Sequence, residues 1–454
     1  MAERVFSLCT GLTNNQWPLW WACVVLLCSP ARIAGQASSP YSRYGLGYVR
    51  SQVFSANKAM AEVSAPYTSV SHINADNPAS YASLTRTTIE LGANFDVVNI
   101  RTPSDSLYRT GNGNVNHLAL AFVPKPDRWA ICAGLLPYSN LNYNFMQRIH
   151  DSTLASYTDL YAGSGSLYQV FAGGAYKFRS RINEQQDQFS LGVNVGYVFG
   201  KLRYQKIITF PDSAEAFTSN YVSDVYARGM QYNIGLQYTR RIFHNENNPD
   251  ERTDVYLTIG ATAYGGVKLH SRIDNYWTRL NYLSTGITII DTPSASFNQK
   301  HRQDMPARFT GGIMVGNERF WLLGVDVKYA TWSDFRSLVY SGQLADSWRV
   351  AVGFQITPNY QDRKYLNRLQ LRAGAWYGKS EVVYRNRQLH DGAATLGLGF
   401  PFRMFKFTNT MLNVTAQIGS RGLSSREAFR ETYYRFTFGM VLNDADWFRR
   451  RRYD

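Results

Sequence analysis

The sequence has 454 residues and a formal net charge of +15, from 48 basic and 33 acidic side chains. Aromatics are 15% of residues, with 31 Tyr beside 35 Gly, and only 18% are charged, yet mean hydropathy is slightly negative. These values exclude a bundle of apolar membrane helices, which needs repeated windows of roughly 20 apolar residues. The basic residues are scattered, with only Arg449–Arg452 as a block, so nucleic acid is not the expected partner.

Residues 1–35 read as a secretory signal: Arg4 in a weak n-region, WPLWWACVVLLCSP as the apolar core, and ARIAGQ supplying small residues for cleavage after Gly35. Removing them takes away Arg4 and Arg32 against Glu3 and leaves +14. The remaining excess suits anionic headgroups or lipopolysaccharide, the outer-membrane lipid expected as a partner, as well as an ordinary solvated tail. Cys9, Cys23 and Cys28 fall inside this segment. Cys132 is then the one cysteine of the mature chain, and stability must come from strand pairing.

Residues 36–86 are rich in Ser, Ala, Asn and Gly, with short apolar patches, and are too few for a domain of their own. Their Tyr residues and the Gly-Leu-Gly at 45–47 point to a segment that packs against something.

From residue 87 onward the period is two. In QFSLGVNVGYVFG, Phe189, Leu191, Val193, Val195, Tyr197 and Phe199 share one face, and Ser190, Gly192, Asn194 and Gly196 the other. MQYNIGLQYT, SWRVAVGFQIT and LNVTAQIG repeat the pattern. Runs of roughly 10–18 residues exceed soluble strands of about 5–6 and suit tilted membrane strands. The polar faces carry Gly, Asn, Gln and Thr, as a hydrated lumen requires.

About fourteen strands follow, near 87–101, 114–124, 128–148, 165–180, 188–206, 223–243, 253–270, 305–317, 319–332, 345–358, 367–382, 391–401, 407–420 and 430–442. Short links alternate with long ones, and an even count places both chain ends in the periplasm. The longest link, 271–304, holds NYWTRLNYL and ITIID, material for an added hairpin. The fold class is therefore all-β: an antiparallel transmembrane barrel over 87–442, exported to the outer membrane of a Gram-negative cell and inserted by barrel-assembly machinery. Residues 443–454 form a basic periplasmic tail.

YSRYGLG at 41–47, AMAEVSAPYTSVSHINADNPASYASL at 59–84 and the strands that follow resemble the FadL-type outer-membrane transporters of long-chain fatty acids, closest to the branch common in Bacteroidota. The resemblance implies that 36–86 is a hatch plugging the barrel, with Asn77, Pro78 and Ala79 as its terminal motif. It also implies an inward kink in the third strand that opens the wall sideways. Gly134, Pro137 and Tyr138 in WAICAGLLPYSNLNYNFM are the candidates for that opening, since Pro interrupts a ladder; an ordinary strand end is the other reading. Tyr276, Trp277 and Tyr282 in the longest link are candidates for ligand capture, or equally for an interfacial aromatic girdle.

The seven His residues show no metal-binding spacing, and no GxSxG, CxxC, HExxH or Walker pattern occurs. No catalytic residue, metal or cofactor is expected. Strand charges such as Glu90, Asp96, Asp326 and Arg372 read as an inner salt network. Two functions remain: passive, hatch-gated uptake of fatty-acid-like hydrophobic molecules, or a scaffold subunit, with protein partners, in an outer-membrane assembly or secretion complex.

Overall fold

The computed structural model describes residues 39–150, 156–179, 187–210, 217–244, 254–266, 268–283, 286–336, 339, 344–404, 407–423 and 428–444. The expected signal peptide, 1–35, and nearly all of the expected tail lie outside the described residues.

Fourteen wall strands form one closed antiparallel barrel. They are β1 Thr87–Arg101, β2 Leu107–Lys125, β3 Trp129–Asn140 continued by Tyr143–Ile149, β4 Tyr157–Arg179, β5 Gln188–Thr209, β6 Thr218–Phe243 and β7 Val255–Tyr264 continued by Lys268–Leu283. Next come β8 Gly286–Asp304 continued by Arg308–Asn317, β9 Trp321–Ala330, β10 Ser347–Ile356, β11 Gln370–Tyr384, β12 Arg387–Met404, β13 Phe407–Gly422 and β14 Arg430–Asp444. Closure comes from β14 on β1, with Phe436 opposite Phe95 and Asp444 opposite Thr87. Closing the sheet removes the edges that hydrocarbon cannot solvate. No described helix is long and apolar enough to cross a membrane; the strands do so.

The alternation has the expected sense. Phe189, Leu191, Val193, Val195, Tyr197 and Phe199 are exposed, while Ser190 and Asn194 are buried. Greasy side chains therefore face outward to lipid and polar ones face the lumen.

The 271–304 segment forms the hairpin for which its sequence held material, as a continuation of β7 and β8 that leaves the number of wall strands at fourteen. Lys268–Leu283 and Gly286–Asp304 pair with each other as a long hairpin, and its first arm continues onto β6, His270 opposite Arg228 through Leu280 opposite Thr218. β4, β5 and β6 likewise run past the expected strand ends. Above Phe199 the sheet thus continues beyond the lipid-facing band by about ten residues, or ~33 Å at roughly 3.3 Å per residue. In KLRYQKIIT neither face carries the run of apolar residues that acyl chains require, so the period-two contrast that marks a membrane strand fades there.

Candidate functional site

Residues 39–86 run inside the barrel, with Phe54, Met60, Val63, Tyr67, Ile73, Tyr81 and Leu84 almost fully buried. Little of this path is regular: a 3-10 turn at Pro40–Arg43, a two-residue strand at Tyr48–Val49, one helical turn at Ser55–Lys58 and a 3-10 turn at Pro78–Ser83. A chain so short of internal hydrogen bonds must find partners on the wall. Asp326 on β9 accepts from the Ser64 and Ala65 amides at 2.6 and 3.0 Å. Gln237 on β6 donates to the Ala65 and Tyr67 carbonyls. Asn194 and Asn233 donate to the Ala75 and Asp76 carbonyls.

Asn77 caps the Pro78–Ser83 turn: its side-chain oxygen accepts from the Ala79 amide at 3.1 Å, and its Nδ2 donates to the Ala65 carbonyl at 2.5 Å. Pro78 sits at the first turn position, where no amide hydrogen is needed. Ala79 is completely buried.

The wall is shaped to receive this backbone. Gly192 and Gly235, Gly260 and Gly312, and Gly353 and Gly374 are cross-strand pairs that face inward. A Cβ on any of them would collide with the luminal segment or with the groups that hold it: Gly235 with Asn77 and Pro78, Gly260 with Ala65, Gly353 with Met60, Gly374 with Ala61. At the other end, Gly45 and Gly47 of YSRYGLG have φ of 65° and 85°, and a Cβ on Gly47 would lie 2.7 Å from the Asn140 carbonyl oxygen. Only glycine takes that path freely.

Charge is concentrated where the segment turns. Ala61 and Glu62 are both left-handed, with φ of 55° and 66°, a strain of about 1–3 kcal/mol each. Thr395 Oγ1 accepts from the Ala61 amide, and Arg349 reaches the Glu62 carboxylate at 2.5 Å with its guanidinium over the Trp376 ring at 3.7 Å. Burial alone pushes the Glu62 carboxyl up, but Arg349, Lys328 and Lys58 outweigh it and hold it at about 2. Burial and the nearby Arg435 push the Lys58 amine down to about 7; it donates to Asn94 and Asn116. Burial raises the Asp76 carboxyl too, but Lys328 and a hydrogen bond from Ser64 bring it to about 2. Arg50 and Arg435 share Asp96 at 3.0 and 2.6 Å.

The expected salt network therefore exists at Asp96. Glu90 and Asp326 instead hold the luminal segment, Glu90 through the Ile73 amide, and Arg372 binds the neutral side chains of Gln355 and Asn413. Sequence reasoning did not single out Lys58, Glu62 or Asp76. The signal was present: between Gln52 and Thr85 they are the only Lys, Arg, Asp or Glu residues in a stretch expected to be buried.

A cavity of about 170 Å³ opens beside these groups, lined by Arg50, Glu62, Asp76, Arg308, Lys328 and Arg349 among others. Arg308 lies over Tyr264 at 4.0 Å, and its Nη2 is buried without a hydrogen-bond partner. Such a lining suits water and anionic groups and is costly for an apolar ligand that would strip their solvation. His72 is buried, and neither ring nitrogen has a partner; burial pushes its imidazole down to about 4. Among the described residues no His, Cys, Asp and Glu group is arranged to hold a metal.

The wall breaks between β2 and β3. Their ladder ends at Leu118 opposite Leu135, although β2 continues on its β1 side up to Leu107. Gly134 lies in the last paired stretch, where a Cβ would meet the Leu118 carbonyl oxygen at 2.6 Å. Pro137 opposes Tyr168 at the start of a bulge, and Tyr138 is buried. Ser139 and Asn140 then leave β2 and pair with Val49 and Tyr48 of the luminal segment. The three expected residues thus lie at and just beyond the end of the β2–β3 ladder, where β3 pairs with the luminal segment instead of β2. On the hairpin, Tyr276 opposes Val222, while its neighbour Trp277 opposes Tyr221 and stacks on it at 5.3 Å. As adjacent strand residues they face opposite sides. The Tyr282 side chain lies outside the described residues.

These features define an outer-membrane β-barrel of fourteen strands with its N-terminal segment folded into the lumen, the architecture of FadL-type channels. Solved structures of similar fold include a Pseudomonas aeruginosa FadL homologue, at 12% identity and a TM-score of 0.57 over 87% of this chain and 99% of that one. The P. putida toluene transporter TodX aligns at 15% identity and a TM-score of 0.54, over 87% and 99%. CymD, a monoaromatic hydrocarbon channel, aligns at 13% and 0.52, over 87% and 98%. At such identities the likeness is one of fold. No sequence among curated proteins matches. The chain belongs to the BamG family, whose model matches residues 19–454.

Proposed function

We propose that this protein is an accessory subunit of an outer-membrane barrel-assembly complex, with a lumen built for structural support and not for conduction. The observation that carries this reading is the polar filling of the barrel. The luminal segment is fastened to β6, β9, β10 and β12 through backbone groups and buried ion pairs, and the cavity beside it is lined by arginines and carboxylates. The BamG designation points the same way, toward the barrel-assembly machinery. The hairpin above the lipid band supplies a rigid surface on which a partner can dock. The test is mild extraction from native membranes with a tag on this chain. Co-purification of the central assembly barrel, and loss of other outer-membrane barrels on depletion, is the expected result. A chain that purifies alone, and whose depletion leaves outer-membrane protein levels unchanged, overturns the proposal.

The end of the β2–β3 ladder at Leu118 and Leu135 favours a second reading, uptake of hydrophobic molecules. Residues 36–86 would then act as a hatch, Gly134, Pro137 and Tyr138 would frame a lateral exit, and Tyr276, Trp277 and Tyr282 would meet the ligand first. The toluene transporter TodX and the monoaromatic hydrocarbon channel CymD support this reading at the level of fold. Deleting residues 36–60 changes hydrophobic uptake if the hatch gates it; unchanged uptake removes this reading.

A further inference from the structure

We propose that the outward face of the extended sheet, just above the lipid-facing band, binds the phosphates of lipopolysaccharide. On β5 the exposed apolar positions run from Phe189 to Tyr197 and Phe199, and on β6 from Leu236 up to Met230. The next outward position on β6 is Arg228, which sits directly opposite Phe199. His270 lies opposite Arg228 and Arg302 opposite His270, so Phe199, Arg228, His270 and Arg302 form one row across four strands. One pleat higher, Lys201, Tyr226, Arg272 and Lys300 form a second row by the same pairings.

Neighbouring strands lie about 4.8 Å apart and successive outward residues roughly 7 Å, so five cations occupy a patch of about 15 by 7 Å. No carboxylate stands in either row. Asp304, opposite Lys268, stands one pleat lower on the strand of Arg302, and one pleat higher are Asp224, held by Lys201 and Arg203 at 2.9 and 2.7 Å, and Asp274, 3.6 Å from Arg272. Arg228, Lys300 and Arg302 have no acidic partner among the described residues. Tyr226 holds the upper row in place, with Lys201 and Arg272 over its ring at 4.9 and 4.2 Å.

Position decides the partner. A cation in the row of Phe199, two residues above lipid-facing Met230, lies at the boundary between acyl chains and polar headgroups. An unneutralised charge is expensive there. In the outer leaflet, the anions at that depth are the phosphates on the sugar backbone of lipopolysaccharide, which Arg and Lys meet with charge-assisted hydrogen bonds.

The full-length protein and a variant carrying Arg228→Gln, Arg272→Gln, Lys300→Gln and Arg302→Gln are purified in detergent. Each is titrated with mixed micelles of diphosphoryl lipid A, of the same lipid after phosphatase treatment, and of phosphatidylglycerol. The unaltered protein is expected to bind diphosphoryl lipid A at least tenfold tighter than either other lipid, and the variant to lose at least tenfold of that affinity while keeping the heat-modifiable gel mobility of a closed barrel. An Arg363→Gln/Lys364→Gln control, on the opposite end of the barrel, is expected to bind as the unaltered protein does. Equal affinity for phosphorylated and dephosphorylated lipid overturns the proposal, as do equal affinity for phosphatidylglycerol and an unaffected folded variant. If the variant does not fold, the comparison of lipids on the unaltered protein decides.

Discussion

Gly311 and Gly312 are neighbours on β8 that face opposite ways, and adding one methyl to each isolates the fit between wall and luminal segment. A Cβ on Gly311 meets nothing within 4 Å, whereas one on Gly312 collides with the Asp326 carboxylate, the Val325 carbonyl oxygen at 2.6 Å and Pro66 Cδ at 2.9 Å. Asp326 is the residue that accepts from the Ser64 and Ala65 amides. Displacing it weakens one hydrogen bond to a charged acceptor, about 1.5–3 kcal/mol, on top of overpacking at about 1–3 kcal/mol. Gly312→Ala is therefore expected to destabilise by about 3 kcal/mol, and Gly311→Ala to be neutral or to stabilise by about 0.5 kcal/mol through the unfolded chain. At about 2 °C per kcal/mol for a large chain, the gap between the variants is roughly 6–7 °C, read as the temperature at which the folded band disappears from a heat-modifiability gel. Hydrogen exchange should locate the loosening in residues 60–68. Equal melting of the two variants, or exchange that rises only in the wall, refutes the reasoning.

Asn77→Ala removes the cap of the Pro78–Ser83 turn and the bond to the Ala65 carbonyl; a loss of about 1–2 kcal/mol should appear as faster proteolysis within 64–84, with the barrel intact. Arg349→Met leaves the Glu62 carboxylate buried without its 2.5 Å partner and should cost about 3 kcal/mol in denaturant unfolding, whereas Arg349→Met combined with Glu62→Gln recovers part of it. Lys58, held at about 7 against 10.5 in the unfolded chain, binds fewer protons when folded between those values. Packing of residues 55–63 should therefore strengthen as pH rises from 7 toward 10, and hydrogen-exchange protection at pH 8.5 should exceed that at pH 6.5 several-fold; Lys58→Met abolishes the difference. His72 acts at lower pH: its buried imidazole stays neutral to about 4, so protonation of the unfolded chain weakens packing as pH falls below 6.5.

The wall was legible because lipid imposes the sharpest contrast a strand can carry. Phe189 through Phe199 could only be one face of a membrane strand, and summing such segments gives the observed fourteen strands. Legibility stops where lipid stops. Above Phe199 the strands in Lys201–Thr209 and Gly286–Asp304 have no face against acyl chains, so their residues resemble a loop's. Ile289 and Phe297 in that stretch, both well exposed, look like loop residues for the same reason. Inside the barrel, NPA stood out only through the resemblance, as the end of a hatch; the cap that Asn77 puts on the Pro78–Ser83 turn is a local feature the structure adds. The partners of Asp326 and Gln237 were not readable, since they lie more than 160 residues away and leave no spacing in the sequence. The inward glycines were visible as a small-residue face, but what fills the space they leave is backbone, which has no sequence of its own.

That last fact governs how the lumen recognises its contents. The collisions awaiting a Cβ at Gly260 and Gly353 are with the main chain of Ala65 and Met60, so the barrel acts as a mould for a path. At those two positions a methyl on the mould meets main chain that every residue carries, so no change of side chain in the luminal segment makes room for it, the reverse of a lock that is selective for the chemistry of its key.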